Sequence, residues 1–516
     1  MASPRSLQPR SHSKYRESVF VTRLGRTAGV LIACAAVVVS GSAPVQAAPK
    51  KISWKRCADD RTAQCGYVSV PINWGKPKRG RIKIAVARVK AKNPKKRLGV
   101  LFVNPGGPGG SGIDFALDRA GLSKQIRERY DIVGFDPRGV GRSHAVKCGN
   151  VGKAPRRYPG SQKGFGNLKA YQGKLYKACR KKTGLLYDFL GAGSVARDMD
   201  AIRAALGAQK VSYYGRSYGT WLGQRYAEMF PKRVKRMTLD GAMNHQVKGA
   251  LAFSVDEAKG LEAGFLQFAK WCPTSKHCGL RGKDPVKVLD ALMLRAEKGR
   301  LHEIGEPKVR LTPPELAQMV RNSMYEPIAW AQLSEELKEL SRQKERVVKA
   351  YGANEEPDGA FAGILCTDWS FPIKNYKQLA DVRAKTRRAA PHVRLNPLGW
   401  EAITACIGRP RGAKDPQRPY RIKGVQPILV AGSLGDPATV YPWAVGAQRG
   451  IPGAALLTYE GAGHGAYGLS GCARKTIDTY LLNGTKPAPG ARCPARMPDF
   501  SQMRAEDVPR DSVRRF

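Results

Sequence analysis

Acidic residues and histidine are scarce in this chain. It carries 41 Asp and Glu against 89 Lys and Arg, so its formal net charge is +48. Such a charge first raises nucleic-acid binding. No helix-turn-helix, zinc-finger or RNA-binding signature accompanies it, and there is no lysine tail. The basic groups are dispersed instead (Lys76 to Arg81, Lys95 to Arg97, Arg180 to Lys182, Arg387 and Arg388). The expectation is a basic face that adheres electrostatically to an anionic cell envelope, with no specific nucleic-acid partner. Beyond residue 47 no apolar run approaches the ~18 residues of a membrane span. No C-x-x-C pair and no His at zinc-finger spacing occurs, which argues against a metal centre. No G-K-[ST] follows the glycine-rich stretch, which argues against a phosphate loop. No cofactor is called for, and no internal repeat is present.

What is present begins with an export signal. Arg5, Arg10, Lys14, Arg16, Arg23 and Arg26 precede an apolar stretch from about Ala28 to Val39. Val45 and Ala47 suit an A-x-A-like cleavage site, so residues 1–47 read as a signal peptide and the mature chain as starting at Ala48. That segment holds six basic residues and one acidic, which leaves the rest near +43. Leu31 to Cys34 resembles a lipoprotein processing box, but it lies inside the apolar run, so anchoring at Cys34 is the weaker reading. The other ten cysteines are even in number. Paired in sequence order they would close five modest loops, and an oxidising, extracellular compartment is the simpler account.

The order of elements indicates a parallel α/β sheet. Tyr67 to Ile72 and Ile82 to Val89 alternate as half-exposed strands. Gly99 to Val103 and Tyr130 to Phe135 are continuous apolar runs suited to buried strands. A helix is expected over Ser194 to Leu206, with Ser194 as its N-cap and Gly207 at its end. Asp136 and Arg138 are expected to brace each other. Strand–helix alternation stops at about Ala242 and resumes with Gln426 to Ala431. The chain is therefore divided into core residues 48–241, a mainly helical cap over 242–409, core residues 410–500, and a charged tail over 501–516.

The chemistry centres on G-R-S-Y-G, Gly215 to Gly219, between a β-prone run and a helix. A strand that turns abruptly into a helix through G-x-S-x-G is a nucleophile elbow. Ser217 is the candidate nucleophile. A serine hydroxyl needs a base, and the base needs an orienting carboxylate. Of seven histidines only His464 lies in a glycine-flanked loop after a buried strand, in G-A-G-H-G. Asp436, after the preceding strand, is the candidate acid, and Asp240 is its rival. The order Ser, Asp, His is that of α/β-hydrolases. Asn104 to Gly112, N-P-G-G-P-G-G-S-G, follows a buried strand and suits an oxyanion loop. The backbone N–H of Gly107, with Gly106 as the near alternative, and that of Tyr218 are the candidate donors.

Taken together, N-P-G-G-P-G-G-S-G, F-D-P-R-G-V-G-R-S, G-R-S-Y-G-T, G-S-L-G-D-P-A-T and G-A-G-H-G resemble the secreted tripeptidyl aminopeptidases, a branch of the α/β-hydrolase family related to the prolyl aminopeptidases. The likeness spans roughly residues 52–495. It implies an α/β-hydrolase fold with an inserted helical cap. The implied activity is a secreted serine aminopeptidase releasing short peptides, tripeptides by the family pattern, from free N-termini through an acyl-enzyme on Ser217. An acidic group in or near the cap would hold the substrate ammonium, and Asp368 and Glu326 are candidates by location. Two departures touch the cleft rim: Arg216 where a small residue is usual, and I-G-R-P at Ile407 to Pro410. An esterase or lipase-like hydrolase with the same triad is the first alternative. A non-catalytic envelope-binding protein on a hydrolase scaffold is the second.

Overall fold

The computed structural model describes residues 51–351 and 358–498. The signal segment, Cys34 and the tail from 501 lie outside the described residues. Thirteen strands occur in chain order: β1 (Lys55–Arg56), β2 (Gln64–Pro71), β3 (Arg81–Val89), β4 (Gly99–Asn104), β5 (Tyr130–Phe135), β6 (Val211–Arg216), β7 (Val234–Asp240), β8 (His302–Glu303), β9 (Glu306–Arg310), β10 (Ala350–Tyr351), β11 (Leu429–Gly435), β12 (Ala455–Ala462) and β13 (Arg492–Cys493). Ten of them form one sheet in the order β1-β2-β3-β5-β4-β6-β7-β11-β12-β13. From β5 through β13 every neighbour pair is parallel, and β1, β2 and β3 add antiparallel pairs at one edge.

Burial explains the two strand types. Along β2, Val68 and Val70 point inward while Tyr67 and Ser69 are exposed, the period of two of a half-covered strand. All six residues of β5 are buried, because helices cover both faces of the parallel region. The strand order also fixes where a site can form. The chain runs from β4 outward to β5, then crosses back to place β6 on the other side of β4. Beyond the C-terminal ends of β4 and β6 the connections diverge and leave a crevice, the topological switch point of an open α/β sheet. The glycine-rich loop leaves β4 there, and the elbow leaves β6.

Several local expectations shift. The helix expected from Ser194 spans Ala192–Ala205, and no side chain of its own caps it. Its first N–H, on Ala192, instead donates to the Asp368 carboxylate at 3.0 and 3.1 Å, so the cap comes from 176 residues away. Arg138 does not pair with Asp136. It forms a buried two-pronged pair with Asp198 (2.6 and 2.7 Å), while Asp136 accepts from the Ser111 hydroxyl and the Ile113 and Arg142 amides. Strand β11 starts at Leu429, two residues after Pro427, which has no N–H for a ladder.

Between β7 and β11 the chain is mainly helical: Gly249–Trp271, Pro285–Glu297, Pro313–Ser323, Trp330–Arg342, Gly359–Asp368, Tyr376–Ala389 and Pro397–Ala405, with β8 to β10 as a small separate sheet. This stretch packs in two ways. Phe265, Phe268, Trp271, Leu289, Leu316, Trp330 and Leu337 share a hydrophobic cluster of their own. Ile364, Trp369, Trp400 and Ile403 join the main core with Trp221 and Tyr213. Among the described residues five disulfides close the loops 57–65, 148–179, 272–278, 366–406 and 472–493, the sequence-order pairing. Each restricts the unfolded chain, and such bonds persist in oxidising compartments.

Candidate active site

Ser217 is the hinge between β6 and the helix Tyr218–Met229, with φ 58° and ψ −132°. A serine in that region is strained by about 1–3 kcal/mol, and the surroundings must hold it there. Its N–H donates to the Asp240 carbonyl (3.1 Å), and its carbonyl accepts from the Thr220 amide (2.9 Å) and hydroxyl (2.6 Å). The flanking glycines are sterically required. A Cβ at Gly215 would lie 2.6 Å from the Gly219 carbonyl oxygen, and one at Gly219 would lie 2.6 Å from Asn104 Oδ1.

The glycine loop is pressed against this elbow. Gly106 has φ 98°, and a Cβ on it would stand 2.6 Å from the Arg216 carbonyl oxygen and 2.8 Å from both Ser217 Cβ and Tyr218 N. Its N–H is already taken, donating to Asn104 Oδ1 at 3.0 Å. Among the described residues no hydrogen bond engages the N–H of Gly107 or of Tyr218. Of the two loop glycines, Gly107 therefore keeps its donor available. Tyr218 N–H is a first-turn donor that the helix cannot satisfy.

His464 follows β12 in a loop whose glycines, Gly463 (φ 119°) and Gly465 (φ 78°), permit the sharp course. Its Nδ1 lies 3.0 and 3.1 Å from the two Asp436 oxygens. Asp436 is fully buried and also accepts from the amides of Ala438 and Thr439 (both 2.8 Å) and Gly465 (3.2 Å) and from the Thr439 hydroxyl (3.1 Å). Those donors fix the carboxylate in place facing the imidazole. With its hydrogen on Nδ1, the ring presents the lone pair of Nε2 to the crevice. Tyr325 fixes the ring from the helical stretch. Its carbonyl accepts the His464 N–H at 2.9 Å, and its ring meets the imidazole edge-on at 5.1 Å. Among the described residues no hydrogen bond joins His464 to the Ser217 hydroxyl. Such contacts are commonly long without substrate and tighten in the complex.

The rival acid is occupied elsewhere. Asp240, also fully buried, accepts from the amides of Ala466 (2.7 Å) and Tyr467 (3.1 Å) and from the Tyr214 hydroxyl (2.9 Å). It braces the loop beyond His464 and does not bond the imidazole.

The two amine-binding candidates part company. Asp368 does not fit that role. It is buried behind the elbow helix, capping Ala192 and accepting from the Tyr218 hydroxyl at 2.5 Å. Burial pushes its carboxyl up to about 7. Glu326, in contrast, is exposed and adjoins Tyr325, the residue that contacts His464. Arg409, of the I-G-R-P departure, is an internal brace donating to the carbonyls of Ala362 and Gly363.

Four neighbours escaped sequence reasoning. Asn104 and Thr439 were legible in principle, since Asn before a glycine loop and Asp-x-x-Thr both favour local side-chain-to-backbone bonds. Tyr325 and Glu257 were not. Glu257, on the helix Gly249–Trp271, is buried, and among the described residues its Oε2 has no hydrogen-bond partner. Burial pushes its carboxyl well above the usual range, opposed by Arg321 and reinforced by Asp436.

A family profile described as "alpha/beta hydrolase fold" matches residues 99–352, and one described as "TAP-like protein" matches residues 396–493. The chain is 30% identical to serine protease Hip1 of Mycobacterium tuberculosis, over 91% of this chain and 96% of that protein. It is 31% identical to the tripeptidyl aminopeptidase of Streptomyces lividans, over 87% and 88%. It is also 31% identical to carboxylesterase B of Mycobacterium tuberculosis, over 87% and 91%.

Proposed function

The chain belongs to the α/β-hydrolase family, in its tripeptidyl aminopeptidase branch, and from that membership as a serine hydrolase we propose that it is an exported aminopeptidase releasing short peptides, tripeptides by the family pattern, from free N-termini. One observation carries the reading: His464 is held on a buried Asp436 at 3.0 Å, beside an elbow whose serine is strained outward.

His464 Nε2 takes the Ser217 proton as the hydroxyl attacks the scissile carbonyl. The tetrahedral oxyanion accepts from the N–H groups of Gly107 and Tyr218, each donor contributing about 3–4 kcal/mol to the transition state. The imidazolium, stabilised by Asp436, passes its proton to the departing amine. The acyl-enzyme on Ser217 then yields to water by the same steps. Glu326, exposed beside Tyr325, receives the substrate ammonium. The basic face brings the enzyme to an anionic envelope.

Paired anilides that differ only in a free or acetylated N-terminus test this. Release from free N-termini alone is expected, and equal cleavage of the blocked peptide would sink the aminopeptidase reading. An esterase is the second reading, favoured by the 31% identity to a carboxylesterase. Faster turnover of p-nitrophenyl esters than of any peptide would select it.

A further inference from the structure

Among the described residues, arginines drawn into the protein commonly have a carboxylate partner. Buried Arg138 meets Asp198 and Arg203 meets Asp200, and half-buried Arg225 and Arg418 both meet Glu228. Arg216, one residue before Ser217, is different. Its side chain is half-buried, and its Nε is buried with no acceptor. Among the described residues no hydrogen bond or salt bridge engages its guanidinium. Its Cδ packs where a Cβ on Gly465 would come within 3.3 Å, next to His464. Its Cζ lies 5.5 Å over the ring of Phe115, on the helix Gly112–Leu117 that follows the glycine loop. The guanidinium thus stands between the oxyanion loop and the histidine loop, flanking the reactive serine. The neighbouring carboxyl, Asp240, already accepts from two amides and a phenol.

Asp240 shares charge with Arg216, but a guanidinium held partly out of water with no hydrogen-bond acceptor remains costly. The two Nη groups at the end of the guanidinium form a fork that takes both oxygens of a carboxylate. We propose that Arg216 binds a substrate carboxylate next to the scissile bond, which makes the enzyme selective for acidic peptides. The carboxylate is either an acidic side chain flanking that bond or the free C-terminus of a short leaving fragment. The strong positive charge, near +43 without residues 1–47, acts in the same direction, drawing anionic peptides to the crevice. The inference rests on the peptidase reading above.

Two substrate pairs separate the sources: tripeptide anilides ending in Glu or Gln, and tetra-alanine with a free or amidated C-terminus. In the wild type, kcat/KM is expected to favour the carboxylate member of one pair about tenfold or more. In Arg216→Gln that ratio collapses toward one. Equal values within both pairs in the wild type would overturn the proposal. So would a ratio unchanged in Arg216→Gln, including uniform slowing of every substrate, which marks a mere counter-charge for Asp240. If Arg216→Gln does not fold, Arg216→Lys decides: loss of the preference supports the fork, and its full retention overturns it. If no peptide is cleaved although a fluorophosphonate labels Ser217, the peptidase reading fails on its own. The comparison then moves to p-nitrophenyl half-esters of a diacid against neutral acyl esters. A preference for the diacid that Arg216→Gln abolishes upholds Arg216, and no preference refutes it.

Discussion

The strand-end loops and the helical stretch between β7 and β11 contribute to the same crevice by different means. In the loops, residue type follows from backbone geometry. Gly106, Gly215 and Gly219 each sit where a Cβ would fall 2.6 Å from a neighbouring oxygen. Ser217 hangs from the elbow, and Asp436 and His464 from the loops after β11 and β12, so their positions are set by the sheet. In the helical stretch, residue type follows from packing. Tyr325 reaches His464 because the helices Pro313–Ser323 and Trp330–Arg342 share a hydrophobic cluster that places the link between them. Geometry that is local can be altered one residue at a time with a sharp effect on chemistry. Geometry inherited from packing is altered gradually and shows first in substrate choice.

The largest break should come at the elbow. Ser217→Ala is expected to lower kcat by on the order of 10⁶-fold with little loss of stability, since alanine removes only the hydroxyl. Retained turnover in the purified variant would end the serine mechanism. Next comes the contrast of two buried aspartates. Asp436→Ala should cost about 10⁴-fold in kcat by releasing the imidazole. Asp240→Ala should instead leave the Ala466 and Tyr467 amides without an acceptor, a loss of about 1–3 kcal/mol each in stability. Turnover and thermal melting measured on both variants distinguish the roles. If only Asp240→Ala loses turnover while both remain folded, Asp436 is not the acid.

This contrast also explains what could be read from the chain. Elbow, glycine loop and histidine loop were legible because their glycines announce the backbone that needs them. Strand β5, as an unbroken apolar run, and the helix Trp330–Arg342 were legible from periodicity alone. Partners brought together by tertiary packing were not. Arg138 meets Asp198 across 60 residues, and Asp368 caps Ala192 across 176. The carboxylate of Asp368 looked suitable for an ammonium because sequence shows its charge but not its burial. Glu257 was missed for the same reason.

A smaller effect is expected where the helical stretch meets substrate. Glu326→Gln should raise KM for peptides with free N-termini about tenfold and leave blocked esters unaffected. An unchanged KM would move the ammonium site elsewhere, and Glu257, with its unpartnered Oε2, would be the next residue to substitute.

The smallest effect on turnover, and a distinct one on stability, belongs to Asp368. Burial raises its carboxyl from 3.8 to about 7, so between those values the folded protein binds a proton that the unfolded chain releases. Stability from this group is therefore fully present below about pH 4 and is lost as the pH rises toward 7. Every tenfold difference in proton affinity between the folded and unfolded chain is worth about 1.4 kcal/mol, so the loss amounts to a few kcal/mol across the window. Asn in its place keeps an acceptor for Ala192 N–H and cannot ionise. Asp368→Asn should thus flatten the decline in stability between pH 4 and 7 and raise the melting temperature at pH 7 relative to wild type. Denaturant titrations of both proteins at several pH values check this. Parallel curves would mean that the Ala192 amide and the Tyr218 hydroxyl hold Asp368 as an anion throughout.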